Sequence, residues 1–321
     1  MNRRRSTSLA ALAVAAPLAL SACGLSEDEG TTTDVTAGSV DPSALEGAAL
    51  SVGSKDFDEQ LLLGQLTIQM LSAAGADVTD DTNIQGSTAT REALLRGEID
   101  VYYDYTGTGW ITYLKHTENI ADPEKLYQAV KEEDLQKNGL VWGQPAPFNN
   151  TYTMAVTEEF AEEEGVATLS DMATYMDENP DAAVCVESEF AARPDGLPGM
   201  VKAYDMTIPQ GSIQSLGVGV IYTQLDEGEC VFGEVFTTDG RISALGLLPL
   251  EDDKGFFPLY NGAPIVQEEN PEGDPILEVL APLSETLTTE VMAELNGQVS
   301  SEGLPVEDVA STYLTDEGFV E

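Results

Sequence analysis

The sequence predicts a two-lobed α/β fold in which the chain crosses between the lobes twice. A chain of 321 residues with 42% hydrophobic side chains is longer than a single core usually supports. From residue 50 onward, short apolar segments alternate with amphipathic ones, which is typical of α/β architecture. Breaks at residues 144–150 and 251–255 separate an outer part, which begins and ends the chain, from an inserted part. Two crossings predict a hinge, and the cleft between two lobes is the natural place for a small-ligand site.

The outer part, lobe 1, is expected at residues 47–149 and 259–321. Leu62, Leu66 and Met70 lie on one stripe of a helix that ends before Gly75. The predicted strands are at 50–53, at 99–103 and near residue 265, and the predicted helices are at 58–74, 87–96, 123–138, 276–280, 287–295 and 306–314. Pro282 is expected to end or kink the helix that begins at residue 276.

The inserted part, lobe 2, is expected at residues 150–258. Its predicted strands are at 153–156, 183–186, 231–236 and 244–250, and its predicted helices are at 158–164, 170–178 and 214–225. Ser170 is the expected N-cap of the second helix. The third is expected despite Gly217 and Gly219.

The composition excludes nucleic-acid binding. The chain has 57 Asp+Glu against 14 Lys+Arg, a formal net charge of −43. No basic stripe relieves this field, which repels phosphate. We interpret the charge as a solvated acidic surface that keeps the protein soluble, as in saline surroundings, rather than as an acidic functional site.

The sequence contains no catalytic or metal-binding motif. His116 is the only histidine, and it follows Lys115 in a polar stretch where a solvated side chain is the usual outcome. HExxH, GxSxG, Walker A and CxxC patterns do not occur. We therefore expect a protein that is not an enzyme, with no catalytic residue, metal or cofactor.

The N-terminus predicts export and lipid anchoring. Three arginines precede an apolar run at residues 9–20 that is too short to span a membrane stably, as in a signal peptide at residues 1–22. Residues 20–24 resemble a bacterial lipobox in which Cys23 is diacylated; a simple signal peptide with a chance cysteine is the alternative. Residues 23–46 are acidic and rich in Gly, Ser and Thr, which predicts a flexible tether. The expected location is the outer face of the bacterial cell membrane, held by lipid at Cys23.

The two remaining cysteines, Cys185 and Cys230, lie in short apolar stretches. In an oxidising compartment such a pair usually forms a disulfide, here between neighbouring strands. Two buried free thiols are the alternative.

Aromatic and basic side chains mark the candidate site. Aromatic rings concentrate at residues 102–110, 149–152 and 256–261. Any one ring could fill a core, but as a set they suit a desolvated cation, which each ring face attracts by about 2 kcal/mol. Basic residues are scarce; Lys55 follows the first strand, where a strand end opens on a cleft, and Arg193 and Arg241 lie in lobe 2. A surface ion pair is the alternative interpretation of each.

Together these stretches resemble the substrate-binding lipoproteins of ABC importers for quaternary amines such as glycine betaine, carnitine and choline. The matching stretches are residues 53–60, 104–108, 150–152, 190–196, 235–241 and 257–260. They run in order through nearly the whole body from about residue 48. The resemblance implies a periplasmic-binding-protein (Venus-flytrap) fold, a monomer, a small quaternary-amine ligand such as a glycine betaine-like zwitterion, and an ABC permease as membrane partner.

The resemblance also implies the site residues. The aromatic cage falls on four rings: Tyr105, Tyr152, Phe236 and Tyr260. The groups that bind a ligand carboxylate fall on Lys55, Thr108 and Arg193, and Asn150 lines the cage. Some members have Tyr in place of Phe236 and Asp in place of Asn150, which leaves the choice of ligand more open than its class. Because these groups come from both lobes, closure would assemble the site.

Other ligands and other classes of protein remain open at this point. Choline, carnitine or an ergothioneine-type betaine fit the same cage, although a Lys and an Arg favour a ligand with a carboxylate. An extracellular hydrolase that uses carboxylates is a second class, with Asp104 as its best-placed candidate. An adhesin or scaffold that shares only the tether is a third.

Overall fold

Two mixed sheets of five strands each organise the chain, which a computed structural model describes for residues 35–321. The first sheet contains β1 (Ala49–Lys55), β2 (Asp77–Ile84), β3 (Val101–Tyr105), β4 (Leu140–Trp142) and β10 (Gly262–Gln267), in the order β2-β1-β3-β10-β4. β1 pairs in parallel with β2 and β3, and β10 pairs antiparallel with β3 and β4. The expected signal peptide and the lipid site at Cys23 lie outside the described residues.

The second sheet repeats the arrangement of the first. It contains β5 (Tyr152–Thr157), β6 (Val184–Val186), β7 (Ile213–Ser215), β8 (Phe232–Phe236) and β9 (Leu247–Pro249), in the order β7-β6-β8-β5-β9. β6 pairs in parallel with β7 and β8, and β5 pairs antiparallel with β8 and β9. In each sheet the antiparallel strand in the fourth position, β10 or β5, is the one that the chain enters after crossing from the other sheet. The predicted two-lobed α/β fold is confirmed.

Helices accompany both sheets. The chain segments that form the first sheet also contain a π-helical turn at Thr108–Tyr113 and the α-helices α1 (Asp58–Ala73), α2 (Ser87–Leu95), α3 (Pro123–Asn138), α10 (Gly273–Thr286), α11 (Thr289–Ser300) and α12 (Val306–Asp316). Those around the second are α4 (Glu158–Glu164), α5 (Leu169–Glu178), α6 (Ser188–Ala192), α7 (Leu197–Ala203), α8 (Val218–Asp226) and α9 (Arg241–Ala244). The apolar stripe predicted on α1 is buried, with Leu62 and Leu66 fully inaccessible.

Capping residues determine where several helices begin and end. Asp122 accepts a hydrogen bond from the backbone N–H of Lys125 at the start of α3, and Gly139 ends that helix at a φ of 65°, where glycine has no steric penalty. The N-cap of α5 is Thr168 rather than the predicted Ser170, because Thr168 forms a capping box with Asp171. α10 continues past Pro282, which therefore does not end the helix, and Leu280 and Leu283 on either side of it are buried.

Three strands, β2, β4 and β7, have no counterpart in the prediction. β2 is rich in Asp and lies at a sheet edge with mostly exposed side chains, so it has no apolar alternation to recognise. β4 and β7 have three residues each, and β7 includes residues 214–215, which were predicted as helix. α8 begins only at Val218.

Residues 35–46 pack on the first sheet's layer and do not form the predicted tether. Ala37 bridges Val320, the backbone N–H of Gly38 donates to the carbonyl of Phe319 at 2.9 Å, and Leu45 is only 2% exposed. Hydrogen bonds and apolar burial thus hold this segment against the C-terminus. The rest of the expected tether lies outside the described residues.

The two crossings between the sheets run side by side. An antiparallel bridge joins Asn149 to Asn261. The backbone N–H of Tyr260 donates to Oδ1 of Asn149 at 2.7 Å, and that of Asn150 donates to the carbonyl of Tyr260 at 3.1 Å. Paired crossings of this kind form a two-strand hinge.

A disulfide joins Cys185 of β6 to Cys230, two residues before β8, with Cα atoms 5.9 Å apart. It links neighbouring parallel strands of the second sheet. Within residues 35–321, no helix combines the length and the apolar character that crossing a bilayer requires.

Candidate functional site

A cavity of about 710 Å³ lies between the two lobes. Seven of the eight predicted ligand-binding residues line it: Lys55, Tyr105, Thr108, Asn150, Tyr152, Phe236 and Tyr260. Most of them stand at strand ends or on the crossings, where β1, β3, β5 and β8 meet the cleft. The fold therefore brings side chains that are up to 205 positions apart in sequence to one wall.

The ring of Tyr152 contacts two of the other three predicted cage rings directly. The ring of Tyr152 lies 5.0 Å from that of Phe236 and 5.1 Å from that of Tyr260, the latter edge to face. Tyr105 approaches from the lobe 1 side. Burial raises the pKa values of all three tyrosines above their ordinary value, so the hydroxyl groups stay neutral and the rings present uncharged faces to the cavity.

Phe57 connects Tyr105 to this group. Its ring stacks on Phe236 at 5.2 Å, nearly parallel, and lies 6.3 Å from the ring of Tyr105. The sequence interpretation placed Phe57 in a matching stretch but gave it no role. Phe57 lies between Lys55, which ends β1 at the cleft, and the start of α1. This position in the sequence is the signal that could have identified it as a site residue.

Lys55 is held in place by a buried ion pair. Its Nζ donates to Oδ1 of Asp104 at 2.7 Å and lies 4.9 Å from the centre of the Tyr105 ring. Asp104 is completely buried and also accepts hydrogen bonds from the Tyr102 hydroxyl and the backbone N–H of Tyr105. Asp104 therefore orients Lys55 and the C-terminal end of β3 at Tyr105, and it does not line the cavity.

Arg193 does not line the cavity. Its Nε and Nη2 donate to the two carboxylate oxygens of Asp195 at 2.8 and 2.6 Å, and its Nη1 donates to Glu189 at 2.8 Å. Nη2 also reaches Oγ1 of Thr108 at 3.4 Å. The guanidinium thus lies behind Thr108, with its fork already occupied by a carboxylate of the protein.

The same carboxylate holds a cage ring. The hydroxyl of Tyr260 donates to Oδ2 of Asp195 at 2.7 Å. Arg193 lies 5.5 Å and 5.9 Å from the ring centres of Tyr152 and Tyr260. Arg193 and Asp195 therefore form a charged support on the outer side of the aromatic group.

Polar contacts join the two lobes across the cleft. Oε2 of Glu189 accepts a hydrogen bond from the backbone N–H of Ser87 at 2.9 Å, and Nη2 of Arg241 lies 3.1 Å from Oδ2 of Asp58. Burial opposes the ionisation of Glu189, but the positive charges of Arg193 and Lys55 outweigh it and lower its pKa to about 2. Because these contacts join residues of both lobes, the structure shows the lobes in a closed arrangement.

The aromatic stretch at residues 102–110 divides between core and site. Tyr102 and Tyr103 are buried in lobe 1, where the hydroxyl of Tyr103 bonds to Ser284. Trp110 stacks on His116 at 3.5 Å, and Nε2 of His116 is 2.9 Å from Glu133. Only Tyr105 and Thr108 of this stretch reach the cavity.

Comparison with known proteins identifies the family. The model of the OpuAC family, described as the substrate binding domain of ABC-type glycine betaine transport system, matches residues 48–316. The chain belongs to this family. It is therefore an extracytoplasmic substrate-binding protein of an ABC transport system, not an enzyme, and the interpretations as a hydrolase or an adhesin are excluded.

Individual OpuAC relatives are similar over most of their length. A glycine-betaine-binding protein of Pseudomonas aeruginosa is 36% identical over 276 residues, which cover 84% of this chain and 88% of that protein. The glycine betaine-binding protein YehZ of Escherichia coli is 33% identical over 282 residues, covering 84% and 91%. A crystal structure of a glycine betaine/carnitine/choline ABC transporter has 25% sequence identity to this chain and a TM-score of 0.68, covering 84% of this chain and 99% of that one.

Proposed function

We propose that this OpuAC-family protein binds a glycine betaine-like zwitterion and delivers it to an ABC permease. The single observation that carries the proposal is the aromatic group: Tyr105, Tyr152, Phe236 and Tyr260 line one cavity between the lobes. A trimethylammonium group has no N–H to donate, so ring faces are its best partners. The names of the relatives support the same ligand class.

The ligand's carboxylate is assigned to Lys55 and Thr108, with Arg193 behind them. Nζ of Lys55 has three N–H donors and gives one to Asp104, which leaves two for a ligand. The guanidinium donors of Arg193 are bonded to Asp195 and Glu189, so Arg193 supports the ligand's carboxylate by its positive charge and by its contact with Thr108, not by donating to the ligand. This division modifies the sequence prediction, in which Arg193 contacts the ligand directly.

Three parts of the proposal rest on the sequence. Cys23 carries a lipid that holds the protein on the outer face of the bacterial cell membrane. The lobes are bounded as predicted, with residues 150–258 moving against 47–149 and 259–321. The protein acts as a monomer; both lobes of one chain supply the site, so a second copy is not needed to complete it.

A larger betaine is the second candidate. The cavity continues past the rings to Gln85, Gly86 and Ser188 and to residues 215–220. Its volume of about 710 Å³ exceeds what a glycine betaine molecule fills. Carnitine or an ergothioneine-type betaine would use this additional space, whereas choline has no carboxylate to accept the N–H donors of Lys55 that Asp104 leaves free.

Calorimetric titration of the purified protein with these four ligands and with 3,3-dimethylbutyrate tests the proposal. The last compound replaces the ammonium of glycine betaine with a neutral carbon of the same shape. We expect glycine betaine or a larger betaine to bind at least about 30-fold more tightly than dimethylbutyrate, since one desolvated cation–π contact contributes about 2 kcal/mol. Equal affinity for the two compounds would reject the aromatic cage.

A matched pair of variants assigns the effect to the site. Tyr260→Leu removes a cage ring, and Tyr175→Leu removes a ring that packs on Phe160 and Phe232 in lobe 2, away from the cavity. Only the first is expected to weaken binding. Loss of binding in both would attribute the effect to folding.

A further inference from the structure

Glu59 is a buried carboxylate to which no cationic side chain within residues 35–321 is bonded. It lies in the first turn of α1, is 4% exposed, and does not line the main cavity. Four side chains donate hydrogen bonds to its two oxygens: Tyr105, Asn150, Thr238 and Asn296. Burial raises the pKa of Glu59, and the donors offset part of this effect by stabilising the charged form.

One carboxylate oxygen of Glu59 accepts hydrogen bonds from two residues of the ligand site. Oε1 accepts hydrogen bonds from the hydroxyl of Tyr105 at 2.7 Å and from Nδ2 of Asn150 at 2.8 Å. Tyr105 belongs to the cage and Asn150 to the first crossing. The direction and the tilt of the Tyr105 ring thus depend on where Oε1 stands.

The other oxygen of Glu59 accepts one hydrogen bond from lobe 2 and one from α11 of lobe 1. Oε2 accepts hydrogen bonds from the hydroxyl of Thr238, in the loop after β8, and from Nδ2 of Asn296, on α11, at 2.9 Å. Asn296 also donates to the backbone carbonyl of Thr238 at 2.9 Å. The bond from Thr238 to Glu59 therefore crosses from the second lobe to the first.

We propose that Glu59 is a positioning residue that couples the Tyr105 ring to closure of the lobes. When lobe 2 closes, the Thr238 hydroxyl reaches Oε2 and fixes the carboxylate, and Oε1 then fixes Tyr105 against the bound ammonium. Both hydroxyls fix the position of the same buried carboxylate, so removing either one lets the carboxylate shift and worsens the geometry of the hydrogen bond at the other oxygen. The proposal rests on the proposed function for its ligand, while the coupling itself concerns Glu59, Thr238 and Tyr105.

A double-mutant cycle measures the coupling without altering Glu59. Tyr105→Phe keeps the ring and removes the hydroxyl that donates to Oε1 of Glu59. Thr238→Val keeps the shape of the side chain and removes the hydroxyl whose hydrogen bond to Oε2 joins the two lobes. In the purified full-length protein we expect each variant to weaken glycine betaine binding about tenfold, as for a hydrogen bond to a charged group. The double variant is expected to be weakened about tenfold as well, because the two hydroxyls act through one carboxylate.

Two controls come from the same chain. Tyr260→Phe removes a cage hydroxyl that bonds to Asp195 and not to Glu59, so its effect and that of Thr238→Val should multiply. Thr153→Val removes a buried hydroxyl that bonds within lobe 2, to the carbonyl of Leu250 at 2.7 Å. It should lower the melting temperature about as much as Thr238→Val does and leave the affinity unchanged.

The outcomes separate this inference from the proposed function. Suppose that the unaltered protein binds glycine betaine and that the fold-losses of affinity in Tyr105→Phe and Thr238→Val multiply in the double variant. This result would overturn the coupling and leave the proposed function intact. An unchanged affinity in Thr238→Val would overturn it as well. Failure of the unaltered protein to bind any quaternary amine would reject the proposed function; thermal unfolding of the four proteins of the cycle would then still show whether the two hydroxyls are coupled.

Discussion

Each buried cation near the cavity carries a carboxylate of its own. Lys55 is paired with Asp104, and Arg193 with Asp195. A charge taken out of water costs several kcal/mol unless it is paired, so a cation that waits unpaired for a ligand would destabilise the protein. The ligand's carboxylate therefore joins ion pairs that already exist, and specificity for it depends on the N–H groups left over.

Glu234 is a buried acid without such compensation. It lies on β8 two residues before Phe236, and Oε2 accepts one hydrogen bond, from the backbone N–H of Glu187 at 2.7 Å. Burial raises its pKa to about 8; the charges of Glu187 and Glu189 add to the shift, and Arg193 opposes it. The folded protein thus holds a proton here that the unfolded chain releases at much lower pH.

Glu234→Gln should remove a pH-dependent loss of stability. Between about pH 4.5 and 8 the folded state binds a proton at Glu234 that the unfolded state has lost, so the free energy of unfolding decreases with rising pH by up to about 1.4 kcal/mol per unit. Relative to the unaltered protein, Glu234→Gln should gain stability steadily over this window, as measured by urea unfolding at several pH values. Glu162→Gln, at an exposed site on α4, is the control. A constant difference between Glu234→Gln and the unaltered protein from pH 5 to 8 would contradict the assignment.

Sequence reasoning located the side chains that face the ligand better than those that support them. Tyr105, Tyr152 and Tyr260 lie in short stretches that match the family, and they do line the cavity. Glu59 could not be distinguished from the other acids, because its role depends on Thr238 and Asn296, which are far from it in sequence. The family resemblance assigns Arg193 to the ligand's carboxylate, and its pairing with Asp195, two residues away, could not be predicted because loop conformation decides it.

At the scale of elements, long amphipathic segments were predictable and short ones were not. α3 has the predicted bounds, since apolar spacing and capping signals agree there. The seven-residue α4 also has its predicted bounds, because Thr157 caps its start and Gly165 ends it. α6 and α9, with five and four residues, contain too little sequence for periodicity. The π-helical turn that carries Thr108 likewise has no sequence pattern of its own.

The loop before α9 packs directly on α11 from the other lobe. A Cβ atom on Gly240 would lie 2.2 Å from Cα of Gly297 and 2.5 Å from its backbone nitrogen. A Cβ atom on Gly297 would lie 3.7 Å from Cα of Gly240, which is an ordinary contact. The close approach of the two backbones is therefore sensitive to a side chain at one glycine and tolerant of one at the other.

Gly240→Ala should weaken ligand binding, and Gly297→Ala should not. The first change forces the loop and α11 apart, which opposes closure, and we expect a loss of affinity of at least about tenfold in calorimetric titration with glycine betaine. The second places alanine inside a helix, where it is about 1 kcal/mol more favourable than glycine, so stability should be equal or higher. Equal affinities of the two variants would show that this contact does not limit closure.

At the scale of the whole molecule, negative charge is the dominant electrostatic feature. With 57 acidic and 14 basic side chains, most carboxylates have no cation of their own. Like charges on a folded surface repel one another and favour expansion. A zwitterion such as glycine betaine has no net charge, so this field neither attracts nor excludes it, and the field acts on the stability of the protein.

Salt should therefore stabilise the ligand-free protein. Raising NaCl from 0.05 to 1 M shortens the Debye length from above 10 Å to about 3 Å and screens the repulsion between surface carboxylates. At pH 7.5 we expect the melting temperature, measured by calorimetry, to rise by roughly 2–6 °C, which corresponds to about 1–2 kcal/mol for a protein of this size. The same series near pH 4.5, where many carboxylates are protonated, should give a smaller rise because less charge remains to be screened. A melting temperature that is flat or falls with NaCl at pH 7.5 would mean that self-repulsion is not a significant cost, and that the carboxylates are compensated locally by hydrogen bonds of the kind formed at Glu59.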